Sequence, residues 1–354
     1  MLKENLINIK NYIKKHNGFL YVAIRNNVLP TYLKIREYKL KSFKGQHVKN
    51  ISFKNKNYNK KIDKRKFIYY KLLLDSKNGF VDQEIFWKGV YEEEVMGVLY
   101  KQISLLLKNK KEKQDTINNS IDKNNSIDDD IANSNIIFLD IGSNIGQELI
   151  FAAAIDNKVM SIGFEPLPHL YKQVKESIKI NQEDNKNKVV SENSFENVFI
   201  YNYALGENND ETNIKIPLIN IGGSSLVRNA TNTFGDIREE KIKVKNGDIA
   251  LLEIFNEINN KILEYKKYNK KYNKIDIIKI DVEGYEYEVL NGLKETIKRD
   301  MPIIILEYSP AFYIDDYSDR GEKILKLMKD LDYKYTVIDG NINSDQANLL
   351  FIKR

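Results

Sequence analysis

The sequence contains no cysteine, and its 354 residues include only three histidines, one tryptophan and six prolines. Without cysteine the chain can form no disulfide, no cysteine nucleophile and no thiolate metal ligand. The histidines, His16, His47 and His169, are scattered and form no pair with the spacing of a zinc site. Carboxylates are therefore the main candidates for chemistry.

Long apolar runs are also absent, and the amino terminus lacks a basic segment followed by an apolar one. We therefore expect a cytoplasmic protein without a membrane span. A chain of this length can form one large domain or two smaller ones. The sequence carries no signal for the oligomeric state.

Charge is distributed unevenly along the chain. Residues 1–75 contain 19 Lys and Arg against 4 Asp and Glu, a net charge of +15, so the remainder carries −9 of the total of +6. Such a basic segment can attract RNA, a phosphorylated lipid carrier or a membrane surface. Because lysine is abundant throughout, a solvated lysine-rich surface is the simpler interpretation, and nucleic acid stays an alternative partner.

Residues 1–108 are interpreted as an N-terminal basic α+β cap. Weak patterns predict a helix over Leu6–Ile13 and strands over Phe19–Ile24 and Val48–Phe53. The cap ends in a clear amphipathic helix over Tyr91–Leu107, which is expected to pack on the catalytic sheet and has acidic residues in its first turn.

Two further segments follow the cap. Residues 109–135 lose apolar periodicity and become rich in Lys, Asn, Asp and Ser, so they are predicted to be a disordered linker or insert. Residues 136–354 alternate strand and helix, which predicts an α/β domain with a mostly parallel sheet, helices on both faces and an antiparallel C-terminal hairpin. The predicted elements after the first strand are a strand over 159–164, a helix over 167–181, a strand over 198–204, an insert with strands over 213–216 and 241–245, a helix over 249–265, a strand over 275–280, a helix over 285–298, a strand over 303–306, a helix over 321–331 and the hairpin of 335–338 with 349–352.

The segment Ile136–Gly146 is the centre of the predicted site. An apolar strand ends at Asp140, Gly142 and Gly146 follow, and an apolar helix begins at once. A dinucleotide fingerprint would have glycine where Asp140 stands. A carboxylate there repels a pyrophosphate and favours an ammonium or sulfonium group.

The next predicted strand ends in Glu165-Pro166. An acid at this strand tip can accept hydrogen bonds from both ribose hydroxyls, as in other doubly wound nucleoside sites. One acid at an amino-acid end and one at a ribose suit S-adenosylmethionine. A nicotinamide-dependent oxidoreductase on a similar sheet is an alternative, which the missing Gly-x-Gly-x-x-Gly opposes.

Three more acids, Asp281, Glu283 and Glu307, lie at or just beyond predicted strand ends. A positioned carboxylate can accept a proton from a reacting hydroxyl, so these residues are the candidate catalytic groups. Strand alternation puts Lys279 on the side of Asp281, where the two can pair. Helix capping and turn anchoring are the structural alternative for Asp281 and Glu283. Their oxygens suit Mg²⁺, but the spacing requires no metal and no metal site is predicted.

Several motifs, taken in order, resemble the FkbM family of S-adenosylmethionine-dependent methyltransferases. The similarity covers residue 136 to the end, with a weaker match over 89–103. It implies a seven-stranded class I methyltransferase fold and methylation of hydroxyl oxygens on sugars, polyketides and related metabolites. The motifs are Asp140-Ile-Gly-Ser-Asn-Ile-Gly146, Phe164-Glu-Pro166, Asn202-Tyr-Ala-Leu-Gly206, Gly223-Ser-Ser225, Lys279-Ile-Asp-Val-Glu-Gly284 and Leu306-Glu307.

The resemblance also implies a set of binding residues. Ser224 and Ser225 are candidates for contact with the acceptor, although glycine-flanked serines are also common in plain loops. The sequence departs from the family pattern at Ser143, where alanine is usual, and at residues 246–248, where Asn-Gly-Asp replaces Thr-Leu-Asp. The implied cofactor-binding residues are Asp140, Gly142, Ser143, Asn144, Gly146, Glu165, Pro166, Asn202 and Ala204.

The sequence thus predicts an O-methyltransferase that acts on a hydroxyl of a saccharide, a glycolipid precursor or a related metabolite. Three alternatives stay open at this point. They are an RNA methyltransferase that uses the basic N-terminal segment, the nicotinamide-dependent oxidoreductase, and a binding module that keeps the fold without catalysis.

Overall fold

The computed structural model describes most of the chain, and residues 47–354 form one compact unit. The helix predicted over 6–13 and the strand predicted over 19–24 lie outside the described residues. Among the described helices, none combines the length and the apolar character needed to cross a bilayer. The described residues are 45–54, 67–120, 135–186, 194–218, 220–227, 236–264, 274–310, 318–343 and 346–354.

Strands and helices alternate along the chain as predicted. The strands are β1 (Gln46–Lys54), β2 (Phe67–Asp75), β3 (Ile136–Ile141), β4 (Val159–Phe164), β5 (Val198–Tyr201), β6 (Ala204–Gly206), β7 (Asp210–Pro217), β8 (Ile237–Asn246), β9 (Ile277–Ile280), β10 (Ile303–Tyr308), β11 (Tyr333–Gly340) and β12 (Ala347–Lys353). The helices are α1 (Phe80–Lys88), α2 (Glu93–Ser120), α3 (Gln147–Ile155), α4 (Pro168–Lys186), α5 (Gly247–Glu264), α6 (Glu286–Gly292), α7 (Lys294–Asp300) and α8 (Arg320–Asp330).

Seven strands form the main sheet in the order β11-β12-β10-β9-β3-β4-β5. The pairs from β10 to β5 are parallel, whereas β12 is antiparallel to both β10 and β11. The predicted fold class, a mostly parallel seven-stranded sheet with an antiparallel C-terminal hairpin, is confirmed. β3 and β4 are buried at every residue, which explains why parallel strands covered on both faces read as continuous apolar runs.

The sheet has its switch point at β3, because the chain continues to β4 on one side and returns to β9 on the other. Ligands of open α/β sheets bind beyond the carboxyl ends of the strands at such a point. The four acids expected at strand ends, Asp140, Glu165, Asp281 and Glu307, all lie within one or two residues of the ends of β3, β4, β9 and β10. The sheet order therefore brings them to one edge.

The insert forms a second sheet of three strands, in which β8 lies between β6 and β7. The single strand predicted over 198–204 is wrong, since the chain leaves the main sheet after Tyr201 and Ala204 starts β6 in the second sheet. The helix predicted over 285–298 is likewise divided at Leu293 into α6 and α7.

Helix α2 is longer than its apolar stripe predicts. It packs on α3 and on strands of the main sheet, as expected, but it continues to Ser120. The prediction of a disordered linker is therefore wrong over 109–120, and residues 121–134 lie outside the described residues. Lys, Glu and Gln have high helix propensity, so a segment rich in them can form a helix even without an apolar face. Lys110 anchors this part by an ion pair from its Nζ to Asp276 Oδ1 at 2.9 Å.

The strand β2 pairs with β1 and docks on α4 through hydrogen bonds from side chains to its backbone. Asn181 accepts a bond from the Lys71 amide at 2.8 Å and donates one to the Lys71 carbonyl at 2.8 Å. Ser177 accepts a bond from the Leu73 amide at 2.9 Å. These bonds satisfy backbone groups that an edge strand otherwise exposes.

The turn after β3 is closed against the end of β9. Gly142 has a φ of +85°, and a Cβ there would lie 1.8 Å from the carbonyl oxygen of Asp281. Only glycine tolerates both this conformation and this approach. The turn and the loop after β9 are therefore held in direct contact.

We expect Gly142→Ala to lower the free energy of unfolding by more than about 1 kcal/mol, because the new methyl group forces the Asp281 carbonyl away. Gly97→Ala in α2 is the matched control, since among the described residues no atom lies within 4 Å of the position that its Cβ would occupy. That control should be neutral or stabilising by up to about 1 kcal/mol. Urea denaturation of both variants measures the difference, and equal stabilities would contradict the tight contact.

Helix α5 offers a test of core packing with two neighbouring leucines. Leu251 is 2% exposed and packs in the core, whereas Leu252 is 64% exposed. We expect Leu251→Ala to lower the free energy of unfolding by about 2–5 kcal/mol and Leu252→Ala by less than about 1 kcal/mol. Denaturant unfolding of the pair checks this, and similar losses would show that α5 is rotated from the described orientation.

Candidate functional site

A cleft opens beside the carboxyl ends of β3, β4 and β9. Its floor comes from the glycine turn and the strand ends, and its opposite wall comes from the insert. The lining residues are Ile141, Gly142, Asn144, Phe164, Glu165, Pro166, Leu167, Leu170, Ala204, Leu205, Ile214, Ile221, Gly222, Ser224, Leu226, Ile242, Asp281, Val282, Glu283 and Tyr285. A mostly apolar wall with a few polar groups is typical of small-molecule sites.

The backbone amides of the glycine turn are already engaged within the protein. Gly142 and Ser143 both donate to the Phe164 carbonyl, at 3.1 and 3.0 Å. Asn144 donates to Glu165 Oε2 at 2.9 Å. These three amides are therefore satisfied within the protein, and the turn presents glycine backbone to the cleft at Gly142.

Glu165 holds the glycine turn and the following loop together. Its Oε1 accepts a bond from the Leu167 amide at 2.9 Å, and its Oε2 bonds to Asn144. A carboxylate has about four lone-pair directions, so each oxygen keeps capacity for a further donor. Burial raises the pKa of Glu165 to about 8, against the opposing effect of the two backbone donors.

Three other predicted cofactor residues surround this loop. Pro166 and Ala204 line the cleft. Asn202 lies behind them, where its Nδ2 donates to the carbonyls of Glu165 and Pro166 at 2.9 Å each. Asn202 therefore positions the Glu165 loop and does not itself line the cleft.

Asp140 is fully buried on the face of the sheet opposite Ile141 and lies beside Lys279, its register partner on β9. Within the described part of the chain, neither of its carboxylate oxygens has a hydrogen-bond partner. Burial raises its pKa to about 7, against the lowering effect of the Lys279 charge. Asp140 does not line the cleft, so the predicted direct contact of Asp140 with a cofactor does not fit its position.

Ser143 and Gly146 are structural in this fold. The Ser143 hydroxyl donates to the Asp140 carbonyl at 2.8 Å and accepts from the Phe164 amide at 3.1 Å. Gly146 has a φ of +80°, and a Cβ there would lie 2.9 Å from Val174 on α4. Both residues fix the turn, and neither lines the cleft.

Asp281 connects the cleft to a group of buried charges. Its Oδ2 accepts a bond from Lys279 Nζ at 2.8 Å, which confirms the pairing expected from strand alternation. Burial opposes ionisation, but the Lys279 ammonium and the neighbouring Glu307 carboxyl together lower the pKa of Asp281. Lys279 stays charged because Asp281, Glu148, Glu92 and Asp140 all raise its pKa against the effect of burial.

Glu283 lines the cleft in the loop between β9 and α6, with a φ of +53°. Two buried groups hold this loop. Glu286 Oε1 accepts bonds from the amides of Val282 and Gly284, at 3.3 and 2.9 Å. The Ser225 hydroxyl donates to the Glu283 carbonyl at 2.6 Å.

The two candidate acceptor serines differ in position. Ser224 lines the cleft, and its hydroxyl donates to the Ile221 carbonyl at 2.6 Å. Ser225 is 1% exposed and its hydroxyl is engaged by Glu283, so the expectation that Ser225 contacts an acceptor does not fit its burial. Ser225 positions Glu283 instead.

Three carboxylates, which we call the acid cluster, converge beside Asp281. They are Glu92, Asp281 and Glu307, and one oxygen from each lies within 4.8 Å of the others. Glu92 comes from the segment before α2, and it takes the place that the sequence analysis gave to Glu283. Burial raises the pKa of Glu92 to about 7 and that of Glu307 well above its usual range.

The sequence analysis missed Glu92 because it read Glu92 to Glu94 together as favourable charges at a helix start. Only the weaker family similarity over 89–103 pointed to this segment. Glu92 has a φ of +50°, and it shares this left-handed conformation with Asn144 and Glu283 in the same region. Non-glycine residues in this conformation cost about 1–2 kcal/mol each, and such strain concentrates at functional sites.

Comparisons with known proteins agree with the geometry. A sequence profile described as the Methyltransferase FkbM domain matches residues 140–335, more than half of the chain. No curated protein sequence matches at a significant level.

Two solved structures that match this chain are distant from it in sequence. An FkbM methyltransferase from Methylobacillus flagellatus is 15% identical with a TM-score of 0.37, and the match covers 61% of this chain and 43% of that one. A precorrin-6y C5,15-methyltransferase from Geobacter metallireducens is 11% identical with a TM-score of 0.30, and the match covers 62% and 80% of the two chains. This chain thus spans less than half of the Methylobacillus protein.

The profile match covers the glycine turn, the Glu165 loop, the insert and the strands that carry Asp281 and Glu307, and it takes in most of the cleft. Methyltransferases of this kind use S-adenosylmethionine in general. The chain belongs to the FkbM family of methyltransferases.

Proposed function

We propose that this chain transfers a methyl group from S-adenosylmethionine to a hydroxyl of a saccharide, a glycolipid precursor or a related metabolite. The observation that carries the proposal is Asp281, a carboxylate that is paired with Lys279 and lines the cleft beside the glycine turn. The nicotinamide-dependent oxidoreductase considered from the sequence is wrong, since the chain is a methyltransferase.

The residues present fit the proposed cofactor. S-adenosylmethionine consists of an amino-acid end, a cationic sulfur and a ribose. Two carboxyl groups, those of Asp281 and Glu165, line the cleft that would hold it. Asp140, whose buried oxygens have no hydrogen-bond partner among the described residues, adds negative charge behind the glycine turn. A cation that enters the cleft favours the ionised form of these carboxyls, whereas a pyrophosphate would be repelled by it.

We propose that Glu165 and Pro166 bind the ribose side, that Ala204 lies beside the adenine, and that Asn202 holds their loop. Gly142 and Asn144 contact the methionine side, with Ser143 and Gly146 fixing the turn and Asp140 supplying charge. Ser224 is proposed to contact the acceptor. Ser225 acts through Glu283, whose carbonyl it binds.

When bound, S-adenosylmethionine supplies an electrophilic methyl carbon on a cationic sulfur, so that an acceptor oxygen forms the new O–C bond as the S–C bond breaks and S-adenosylhomocysteine is left. Asp281 is proposed to take the hydroxyl proton. Its partner Lys279 keeps the carboxylate ionised, and an oxygen that is gaining a methyl group becomes acidic enough to give its proton to a weak base. Glu283, which lines the cleft, is proposed to orient the hydroxyl, and Glu307 is proposed to act through Asp281, whose pKa it lowers.

The apolar lining of the cleft has a separate role. The positive charge on the sulfur is dispersed in the transition state, so water solvates the transition state less well than the reactants. A site that excludes water and aligns donor and acceptor therefore favours the reaction. Phe164, Leu205 and Ile242 supply such a lining. These side chains exclude water from the path between donor and acceptor.

The first prediction concerns the pH dependence of cofactor binding. Because the pKa of Glu165 is raised to about 8, the free protein holds a proton there at neutral pH. A cationic ligand favours the ionised carboxylate, so the affinity for S-adenosylmethionine should rise with pH by at most about tenfold per pH unit. The affinity should level off above a pH of about 8. Calorimetry at several pH values measures this, and S-adenosylhomocysteine, which lacks the sulfonium charge, should show a weaker dependence.

Glu165→Gln should weaken binding of both ligands and remove this pH dependence, whereas Glu183→Gln on the exposed face of α4 should leave the affinity and its pH profile unchanged. A Glu165→Gln variant that binds S-adenosylmethionine like the wild type at every pH would contradict the ribose assignment.

The second prediction tests the reaction. Purified protein is incubated with S-adenosylmethionine carrying a labelled methyl group and with fractions of cell extract, and labelled products are identified by mass spectrometry. We expect label on a hydroxyl oxygen of a saccharide-containing or related metabolite. Label in an RNA fraction that is lost on ribonuclease treatment, or label on nitrogen or carbon, would overturn the proposed acceptor.

Asp281→Asn should lower the turnover with the identified acceptor by about 10²- to 10⁴-fold while affinity for S-adenosylhomocysteine is largely kept, since a missing base affects the transition state more than ligand binding. Asp330→Asn, at an exposed position of α8, is the control and should turn over like the wild type. Unchanged turnover in Asp281→Asn would remove Asp281 as the base.

A further inference from the structure

The acid cluster has the arrangement of a cation site. Its three carboxylates come from three separate parts of the chain: Glu92 before α2, Asp281 after β9 and Glu307 on β10. One oxygen from each lies within 4.8 Å of the others. Oxygens that share one divalent ion at about 2.0–2.6 Å are no more than about 4–5 Å apart.

The backbone directs Glu92 into this cluster. Its φ of +50° turns the residue at the start of α2, where its carbonyl accepts a bond from the Met96 amide at 3.1 Å. Gln147 fixes the preceding residue, since its side chain accepts from the Tyr91 amide at 2.8 Å and donates to the Tyr91 carbonyl at 3.0 Å. The Asn348 amide on β12 is a hydrogen-bond partner of the Glu92 carboxyl.

A separate observation points to a ligand. Glu307 is 4% exposed, and its Oε2 has no hydrogen-bond partner among the described residues. A buried carboxyl oxygen without a partner costs free energy, and the native state of a protein seldom retains one. An ion bound by this oxygen removes that cost.

The carboxyl groups of this region outnumber its positive charges, which favours the binding of a cation. Lys279 binds one oxygen of Asp281, and its single positive charge faces the carboxyls of Asp281, Glu148, Glu92 and Asp140. The Glu307 carboxyl is a second hydrogen-bond partner of Asp281 and belongs to the same cluster. Glu92 and Asp281 are only partly buried, so an ion can reach the cluster from solvent.

We propose that Glu92, Asp281 and Glu307 bind one divalent cation, Mg²⁺ or Mn²⁺. Both are hard ions that prefer carboxylate oxygens, and they keep water at their remaining positions. The site differs from the three residues that the sequence suggested, because Glu92 replaces Glu283. The ion then lies at the edge of the cleft, next to the one carboxylate that the cleft and the acid cluster share.

This position gives the ion a function that rests on the proposed methyl transfer. A divalent ion beside Asp281 can bind the acceptor oxygen, acidify its hydroxyl and orient it towards the donor. The ion site itself is independent of that role and can be tested without any acceptor.

The test is a titration of the full chain with MnCl₂ alone, with free Mn²⁺ measured by electron paramagnetic resonance. We expect about one bound ion per chain, displaced by excess Mg²⁺. Glu92→Gln should weaken Mn²⁺ binding by about tenfold or more, because one charged ligand is lost. Glu94→Gln, two residues away and exposed, should bind Mn²⁺ like the wild type.

Circular dichroism and thermal melting establish that each variant is folded, and Glu307→Gln, which should also lose Mn²⁺, replaces Glu92→Gln if the latter does not fold. The absence of Mn²⁺ binding in the wild type, or equal binding in wild type and a folded Glu92→Gln or Glu307→Gln, would overturn the site. Mn²⁺ binding that depends on Glu92 supports it even where no acceptor is methylated. Methyl transfer that persists in EDTA overturns the role of the ion in the reaction, and it leaves both the ion site and the proposed function standing.

Discussion

The buried ion pair of Lys279 and Asp281 is the interaction on which the arrangement of this site depends. Burial alone disfavours both charges, and a buried pair gains little by itself. Lys279 stays charged because four carboxyls surround it, and Asp281 stays ionised because Lys279 donates to it. Without the ammonium, the acids at the sheet edge would repel one another and take up protons. The pair therefore makes Asp281 the carboxylate at the cleft whose pKa is lowered.

The acids at the sheet edge differ in pKa because their surroundings differ. Glu165, buried but bonded to two backbone amides, has a pKa raised to about 8, and Asp140, buried without a hydrogen-bond partner among the described residues, has one raised to about 7. Asp281 differs because a cation touches it. The same functional group can thus respond to a cationic ligand at one place and accept a proton at another, since local desolvation and charge decide its state.

Much of the fold and of the candidate site follows from the sequence. Apolar runs that end in acids predict parallel strands and place Asp140, Glu165, Asp281 and Glu307 at one edge, and alternation along β9 predicts the Lys279 pairing. Other features depend on long-range packing, which the periodicity of apolar residues along the chain does not predict. The chain changes sheets after Tyr201 because β8 pairs with Ala204. Glu92 enters the site through a left-handed backbone conformation, and Ser225 is buried by the loop that it holds. The amides of the glycine turn are engaged by the end of β4, since the Phe164 carbonyl accepts from Gly142 and Ser143 and the Glu165 carboxyl accepts from Asn144.

Glu92 and Asn348 both lie outside residues 140–335, the stretch by which the family is recognised. One precedes it on the segment that leads into α2, and the other follows it on the strand that pairs with β10. The unit that sequence comparison detects is therefore smaller than the unit that surrounds the acid cluster. A fragment cut to the detected stretch would lose the Glu92 carboxylate and the Asn348 amide behind it, together with most of β3 and all of β12 from the main sheet.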